Sequence, residues 1–154
     1  ALADEAAVAE VTRTDQLLGD LREPDRLFRP SSGGGVIGPG VLNAAVVDHL
    51  VANRHTLVMW NLVCEDWKRP DGSWVGLALD GATELEWTVL VLHDIDSGAM
   101  RHLARFLDSV ADRGMEVMAE LPSDQVPIER GIIRHPVDHL LPIGGSGPTG
   151  DSTG

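Results

Sequence analysis

Four short apolar stretches with strand character recur along the 154-residue chain, centred near residues 28, 59, 90 and 117. Their separation of roughly thirty residues is the length of one strand, one crossover helix and the start of the next strand. This rhythm predicts an α/β layer of parallel strands. The stretches between carry helical patterns. Residues 4–21 place Val8, Val11, Leu18 and Leu21 on one face, with acidic residues early, where the helix dipole favours them. A second helix is expected to start at Pro39, with Leu42, Ala45, Val46 and Leu50 on its apolar face. Ser97 is placed to cap a third, carrying Met100, Leu103, Leu107 and Val110, and Gly114 to stop it. Strands are expected over residues 27–28, 55–63, 87–92 and 115–119. No sequence repeat accompanies the rhythm. Four strands are few for such a fold, so the expectation is a partial layer whose first strands precede Ala1.

Composition narrows the function classes. The formal net charge is -12, which repels a phosphate backbone and argues against nucleic-acid binding. The longest near-continuous apolar run, Thr56 to Cys64, is interrupted by Asn61 and is too short to span a bilayer. A single cysteine, Cys64, excludes an internal disulfide. With no signal pattern at the start, the compartment stays undecided between cytoplasmic and secreted. The body of the domain is read as residues 1–143. Residues 144–154, rich in Gly, Ser, Thr and Pro, read as a flexible tail.

The chemistry gathers where the predicted strands end. In parallel α/β layers, functional groups collect at the carboxyl ends of the strands. The first strand ends in Arg29-Pro30, the second in Glu65-Asp66-Trp67 and the third in His93-Asp94. Parallel strands put these ends on one rim. A histidine held by a carboxylate is a tunable proton donor. An arginine offers a planar fork for another carboxylate or an oxyanion, and a tryptophan offers a flat apolar wall. Each residue alone has a plainer reading: a local hydrogen-bonding group for His93, packing for Trp67, a solvated strand end for Asp66, a surface ion pair for Arg29. Their joint placement on successive strand ends favours a site suited to hydrolysis of an acyl group on a carbohydrate.

Three segments carry a resemblance. FRPSSGG, MWNLVCEDW and VLVLHD resemble, in order and at fitting distances, the third, fourth and fifth motifs of the polysaccharide deacetylases, the NodB-homology domain of carbohydrate esterase family four. RGMEVMAEL resembles that family's last helix-to-strand passage, and the likeness covers roughly residues 4–131. The resemblance implies a deformed (β/α) barrel of parallel strands alternating with helices, here partial, and a hydrolase that removes acetyl groups from an acetylated glycan. It implies His93 as general acid for the leaving amine, Asp66 as the group that orients it, and Arg29 as the holder of the catalytic base. A backbone N–H near Ser32 would stabilise the oxyanion, and Trp67 and Val91 would line the acetyl groove. It implies a divalent metal such as zinc, but its usual ligands lie in motifs that this sequence lacks: only 28 residues precede Arg29, and they contain no histidine. The chain is therefore expected to be an incomplete and inactive portion, whose open sheet edge is covered by upstream chain or by oligomerisation. The sequence also departs from the motifs at Ser31, Ser32, Val63 and Val91.

Two further patterns admit other readings. Gly33-Gly34-Gly35-Val36-Ile37-Gly38 satisfies the glycine pattern of a dinucleotide loop between a strand and a helix. His135 and His139 repeat the four-residue spacing of a metal pair, with Asp138 between them, in a stretch that reads as solvated tail. A non-catalytic glycan-binding or interaction remnant is the remaining alternative.

Overall fold

The computed structural model describes residues 4–21, 23–31 and 33–143. Within them the chain is a mixed α/β structure. The α-helices are α1 (Asp4–Leu18), α2 (Ala44–Ala52), α3 (Trp74–Thr83) and α4 (Leu103–Asp112). The strands are β1 (Leu27–Phe28), β2 (Thr56–Leu57), β3 (Leu62–Val63), β4 (Leu90–Val91), β5 (Ile128–Glu129) and β6 (Ile132–Ile133).

Residues 55–63 form the spine, but not as one strand. Their first half pairs parallel with β1, Leu27 opposite Thr56 and Phe28 opposite Leu57. Their second half pairs parallel with β4, Leu62 opposite Leu90 and Val63 opposite Val91. Between the halves the backbone changes partners. Val58 N–H still donates to Phe28 C=O at 2.9 Å, Met59 N–H turns to Gln125 C=O at 2.8 Å, and Asn61 N–H reaches Val89 C=O at 3.3 Å. The Asn61 side chain completes the handover: its amide donates to Trp87 C=O at 2.8 Å and its carbonyl oxygen accepts from Val89 N–H at 2.8 Å. A side-chain amide carries one donor and one acceptor, as a peptide group does, so it extends the ladder by one rung.

The parallel (β/α) barrel implied by the sequence is not formed. The strands fall into a four-stranded mixed sheet, ordered β1-β2-β5-β6, and a separate parallel pair, β3-β4. Two departures account for this. An antiparallel hairpin, β5-β6, occupies the edge of β2 that a parallel neighbour would need. The stretch 115–119, expected as the last strand, has no strand structure, and Val117 and Met118 are exposed. An apolar groove of about 780 Å³ is lined by Leu90 and Leu92 together with Met115, Val117 and Met118. A strand is stabilised only when its backbone groups meet a partner, and no strand among the described residues pairs with this stretch.

The helices cover both faces. On one, α1 packs on α2, and Val11, Val46, Val47 and Leu50 join Leu57, Met59, Trp60 and Val91 in a core. On the other, Trp74, Val75, Ala78 and Leu79 of α3 join Cys64, Ala99 and Val110. Leu90 and Leu92 pack on this second core while Val91 belongs to the first, the alternation expected of a strand covered on both sides. The second helix starts at Ala44, not at Pro39. Asn43 is its cap, accepting from Val46 N–H at 2.8 Å, and the preceding loop is tied down by Gly40 and Leu42 N–H groups donating to Leu140 C=O. A well-capped start prevails over the φ preference of a proline in that loop. Gly114 ends α4 as expected, with φ 71°, but Ser97 does not cap that helix: α4 begins at Leu103 behind His102, and Ser97 Oγ accepts from Ala99 N–H at the start of the 3₁₀ turn Ala99–His102 that precedes it.

At the opposite end of the spine from Asp66, His55 is buried, 1% exposed. Its Nε2 lies 3.1 Å from Asp15 Oδ2, which also accepts from Arg26 at 2.6 Å. His55 Nδ1 has no hydrogen-bond partner among the described residues. Burial lowers the His55 pKa from its ordinary 6.5 against the opposing pull of Asp15, and Arg26 lowers it further. A second proton on this ring would add a buried N–H with no acceptor. For a group depressed in the fold, the stability it contributes is present above the unfolded pKa and is lost as pH falls through the folded one. We predict that the thermal midpoint drops more between pH 8 and pH 5 in the wild type than in His55→Gln; equal drops by calorimetry would remove His55 as the cause.

Candidate functional site

The register of β3 and β4 builds the site. Because Val63 faces Val91 across the ladder, the residues just beyond each strand leave the layer side by side. β3 is followed by the buried Cys64 and then by Glu65, whose φ of 51° and ψ of 44° are left-handed. An L-residue held there costs roughly 1–2 kcal/mol. The turn it makes starts a short 3₁₀ segment, Asp66–Lys68, and aims Asp66 back toward the end of β4.

Asp66 is completely buried, and both of its oxygens go to one residue. Oδ2 accepts from His93 backbone N–H at 2.9 Å, and Oδ1 lies 2.9 Å from His93 Nδ1. The first contact continues the β3-β4 ladder with a side chain where backbone pairing has ended. The second fixes the imidazole. An acceptor-only carboxylate at Oδ1 places the hydrogen on Nδ1, which leaves Nε2 as the nitrogen able to take up or release a proton. Nε2 makes no hydrogen bond among the described residues, and the His93 side chain is 33% exposed. The Trp67 and His93 rings meet near edge to face, with centroids 4.6 Å apart and planes at 72°. One buried carboxylate thus holds a partly exposed imidazole beside a half-buried indole.

The loop carrying these groups is anchored from below. Arg69 Nε donates to Cys64 C=O at 3.2 Å. Asp71 Oδ1 accepts from the Ser73 amide and hydroxyl, which together hold its carboxyl below the ordinary value and shape the entry to α3. Arg105 of α4 donates to Gly72 C=O at 2.7 Å. Gly72 has φ 80°, and a Cβ there would lie 2.5 Å from the His102 ring, so α4 seats directly on the glycine backbone. Cys64 is not a nucleophile for this imidazole. Burial first, and then the Asp66 charge, push its thiol up, so it stays protonated and inert.

The other expected site residues are distributed differently. Arg29 is exposed and lies over the indole of Trp60, 5.9 Å from the ring centroid; among the described residues it forms no hydrogen bond or ion pair with Asp66 or His93. Val91 is buried in the core shared with Trp60 and Val63, not on an open surface. Ser32 lies outside the described residues. The glycine run does not open a helix, because α2 begins six residues after Gly38. Gly35 instead accepts the Trp60 indole N–H on its carbonyl at 2.8 Å. Its own Cβ, were there one, would stand 2.7 Å from a Val63 methyl. The loop is thus packed against two side chains, away from the geometry of a phosphate cradle. His135 and His139 are exposed, and no group of three or more His, Cys, Asp or Glu able to hold a metal occurs among the described residues. The divalent metal implied by the motif resemblance therefore finds no fitting donor set there.

Sequence reasoning missed two groups at the site. Lys68 Nζ lies 5.7 Å from the Trp67 ring centroid, and Glu65 accepts from that ammonium at 2.6 Å. The adjacent charges E-D-W-K-R were visible, but the left-handed turn that folds them onto one another was not.

No protein-family model matches the chain, and no curated protein or solved structure shows significant similarity to it. The likeness to the polysaccharide deacetylases thus rests on short sequence motifs alone.

Removing the Asp66 carboxyl leaves a backbone N–H and an imidazole N–H without their acceptor. Asp66→Ala is expected to lower the unfolding free energy by about 1–3 kcal/mol, and Asp66→Asn by less, because a carboxamide oxygen still accepts one bond. Urea denaturation measures both; an Asp66→Ala chain as stable as the wild type would contradict the two-point contact.

Proposed function

We propose that this chain carries the acid side of a hydrolase that removes acetyl groups, as amide or ester, from a polysaccharide. The observation that carries the reading is the two-point grip of Asp66 on His93, with Trp67 against the imidazole. In such a reaction water adds to the acetyl carbonyl, and the bond from carbonyl carbon to nitrogen or oxygen then breaks. The departing amine or alkoxide must be protonated as it leaves. His93 Nε2 is suited to deliver that proton, and Asp66, bonded to Nδ1, stabilises the imidazolium and keeps the ring in one orientation. The Trp67 indole offers an apolar face to a pyranose ring or an acetyl methyl. Arg29, lying over the Trp60 indole rather than at the dyad, presents its guanidinium fork as a site for a carboxylate or oxyanion.

The direct test is binding, because the groups that would activate the water are not among those described. N-acetylated chito-oligosaccharides are expected to change the tryptophan fluorescence saturably. Trp67→Ala should weaken binding by about tenfold, the value of one lost stacking face, while Trp87→Phe should leave it unchanged. Absence of a saturable response in the wild type would refute the glycan reading.

A further inference from the structure

Glu65 is strained, charged and adjacent to the dyad, and the dyad's chemistry does not use its carboxylate. Its left-handed backbone points the next residue inward. Its side chain returns to the turn it has just created. Oε1 accepts from Lys68 Nζ at 2.6 Å, and Oε2 stands 3.5 Å from an Arg69 guanidinium nitrogen. Lys68 Nζ in turn lies 5.7 Å from the centroid of the Trp67 ring, whose other neighbour is His93 at 4.6 Å. A continuous run of contacts thus leads from the Glu65 carboxylate through the Lys68 ammonium to the indole and on to the imidazole.

We propose that Glu65 is a positioning residue, and that its ion pair with Lys68 sets the pose of the Trp67 indole against His93. The inference rests on the acyl-hydrolase reading for its consequence, since the indole would be the wall against which the substrate lies. Its geometry stands without that reading. A cation near an aromatic face is attracted by the ring quadrupole, and an ammonium fixed by a carboxylate gives that attraction a direction. The Lys68 hydrogen bond, with its charge, lowers the Glu65 carboxyl pKa, consistent with a pair formed throughout the neutral range. Both side chains are substantially exposed, 58% for Lys68 and 37% for Glu65. Such pairs add little to global stability. Loss of this pair should therefore move the indole and leave the melting transition where it was.

The experiment separates the carboxylate from the backbone turn. Glu65→Gln removes the charge and keeps the side-chain length. Glu65→Gly removes the side chain and favours the left-handed backbone. Lys68→Gln removes the other partner. The readout is the ring-current displacement of the His93 imidazole proton resonances, measured without sugar and referred to Trp67→Leu. All three variants are expected to lose most of that displacement, Glu65→Gln and Lys68→Gln at the wild-type thermal midpoint and Glu65→Gly at a midpoint no lower, since glycine relieves the left-handed strain, and Glu65→Asp to recover part of it. Wild-type displacement in Glu65→Gln, or in Glu65→Gly, would overturn the proposal, because the turn alone would then set the pose. If one Glu65 variant fails to fold, Lys68→Gln decides by the same readout. A second arm measures chito-oligosaccharide affinity, expected to weaken in Glu65→Gln relative to wild type. A wild-type chain that binds no sugar refutes the glycan reading and leaves the resonance comparison standing as the test of Glu65.

Discussion

A carboxyl group with no exposed surface must find its partners inside the protein, and Asp66 finds both of them in His93. That single demand organises the region around it. It requires β3 and β4 to end together, a register in which Val63 faces Val91, and a turn at Glu65 sharp enough to bring Asp66 back to the strand beside it. It also explains why Arg105 of α4 and His102 just before it grip the loop after Trp67: movement of that loop would pull the carboxylate away from the two N–H groups that donate to it. A buried polar group left without its partner is costly, so these arrangements stand or fall together.

The spine of residues 55–63 has the complementary role. It serves two parallel neighbours in turn, β1 at its start and β4 at its end, with β5 antiparallel on its other edge at Leu57. The change of partner through Asn61 keeps the backbone satisfied while the layer splits into two small sheets. One consequence is functional. The Arg29 end of β1 and the His93 end of β4 sit beside different halves of the same passage, so the guanidinium meets the Trp60 indole while the imidazole meets Trp67. The two indoles divide between them the contacts that a single rim would have collected.

That Asp66, Trp67 and His93 meet is legible in the sequence. The abrupt passage from apolar strand to Glu65-Asp66-Trp67, and its counterpart at His93, pointed to a carboxylate, an indole and an imidazole meeting at strand ends, because parallel strands with helical crossovers have few other ways to align. The helices at residues 4–18 and 103–112 follow from apolar spacing, and the second also from Gly114 at its end. What was not legible depended on contacts distant in sequence. The β5-β6 hairpin occupies the edge of β2 because Ile128 fits against Leu57, and nothing local in PIERGII announces that partner. The stretch 115–119 has the composition of a strand and lacks its partner, a fact that exists only in three dimensions. The glycine run looked like a phosphate loop, yet its conformation answers to Val63 and Trp60.

The sequence by itself determined the alternation of apolar segments, the residues at their ends and the acidic surface, because periodicity and charge are properties of neighbouring residues. Only the tertiary structure decided which strand edges pair, that Asp66 holds His93 at two points, and that Arg29 stands apart from them. Pairing and burial are settled by competition among distant groups for the same partner, and no local pattern records the outcome of that competition.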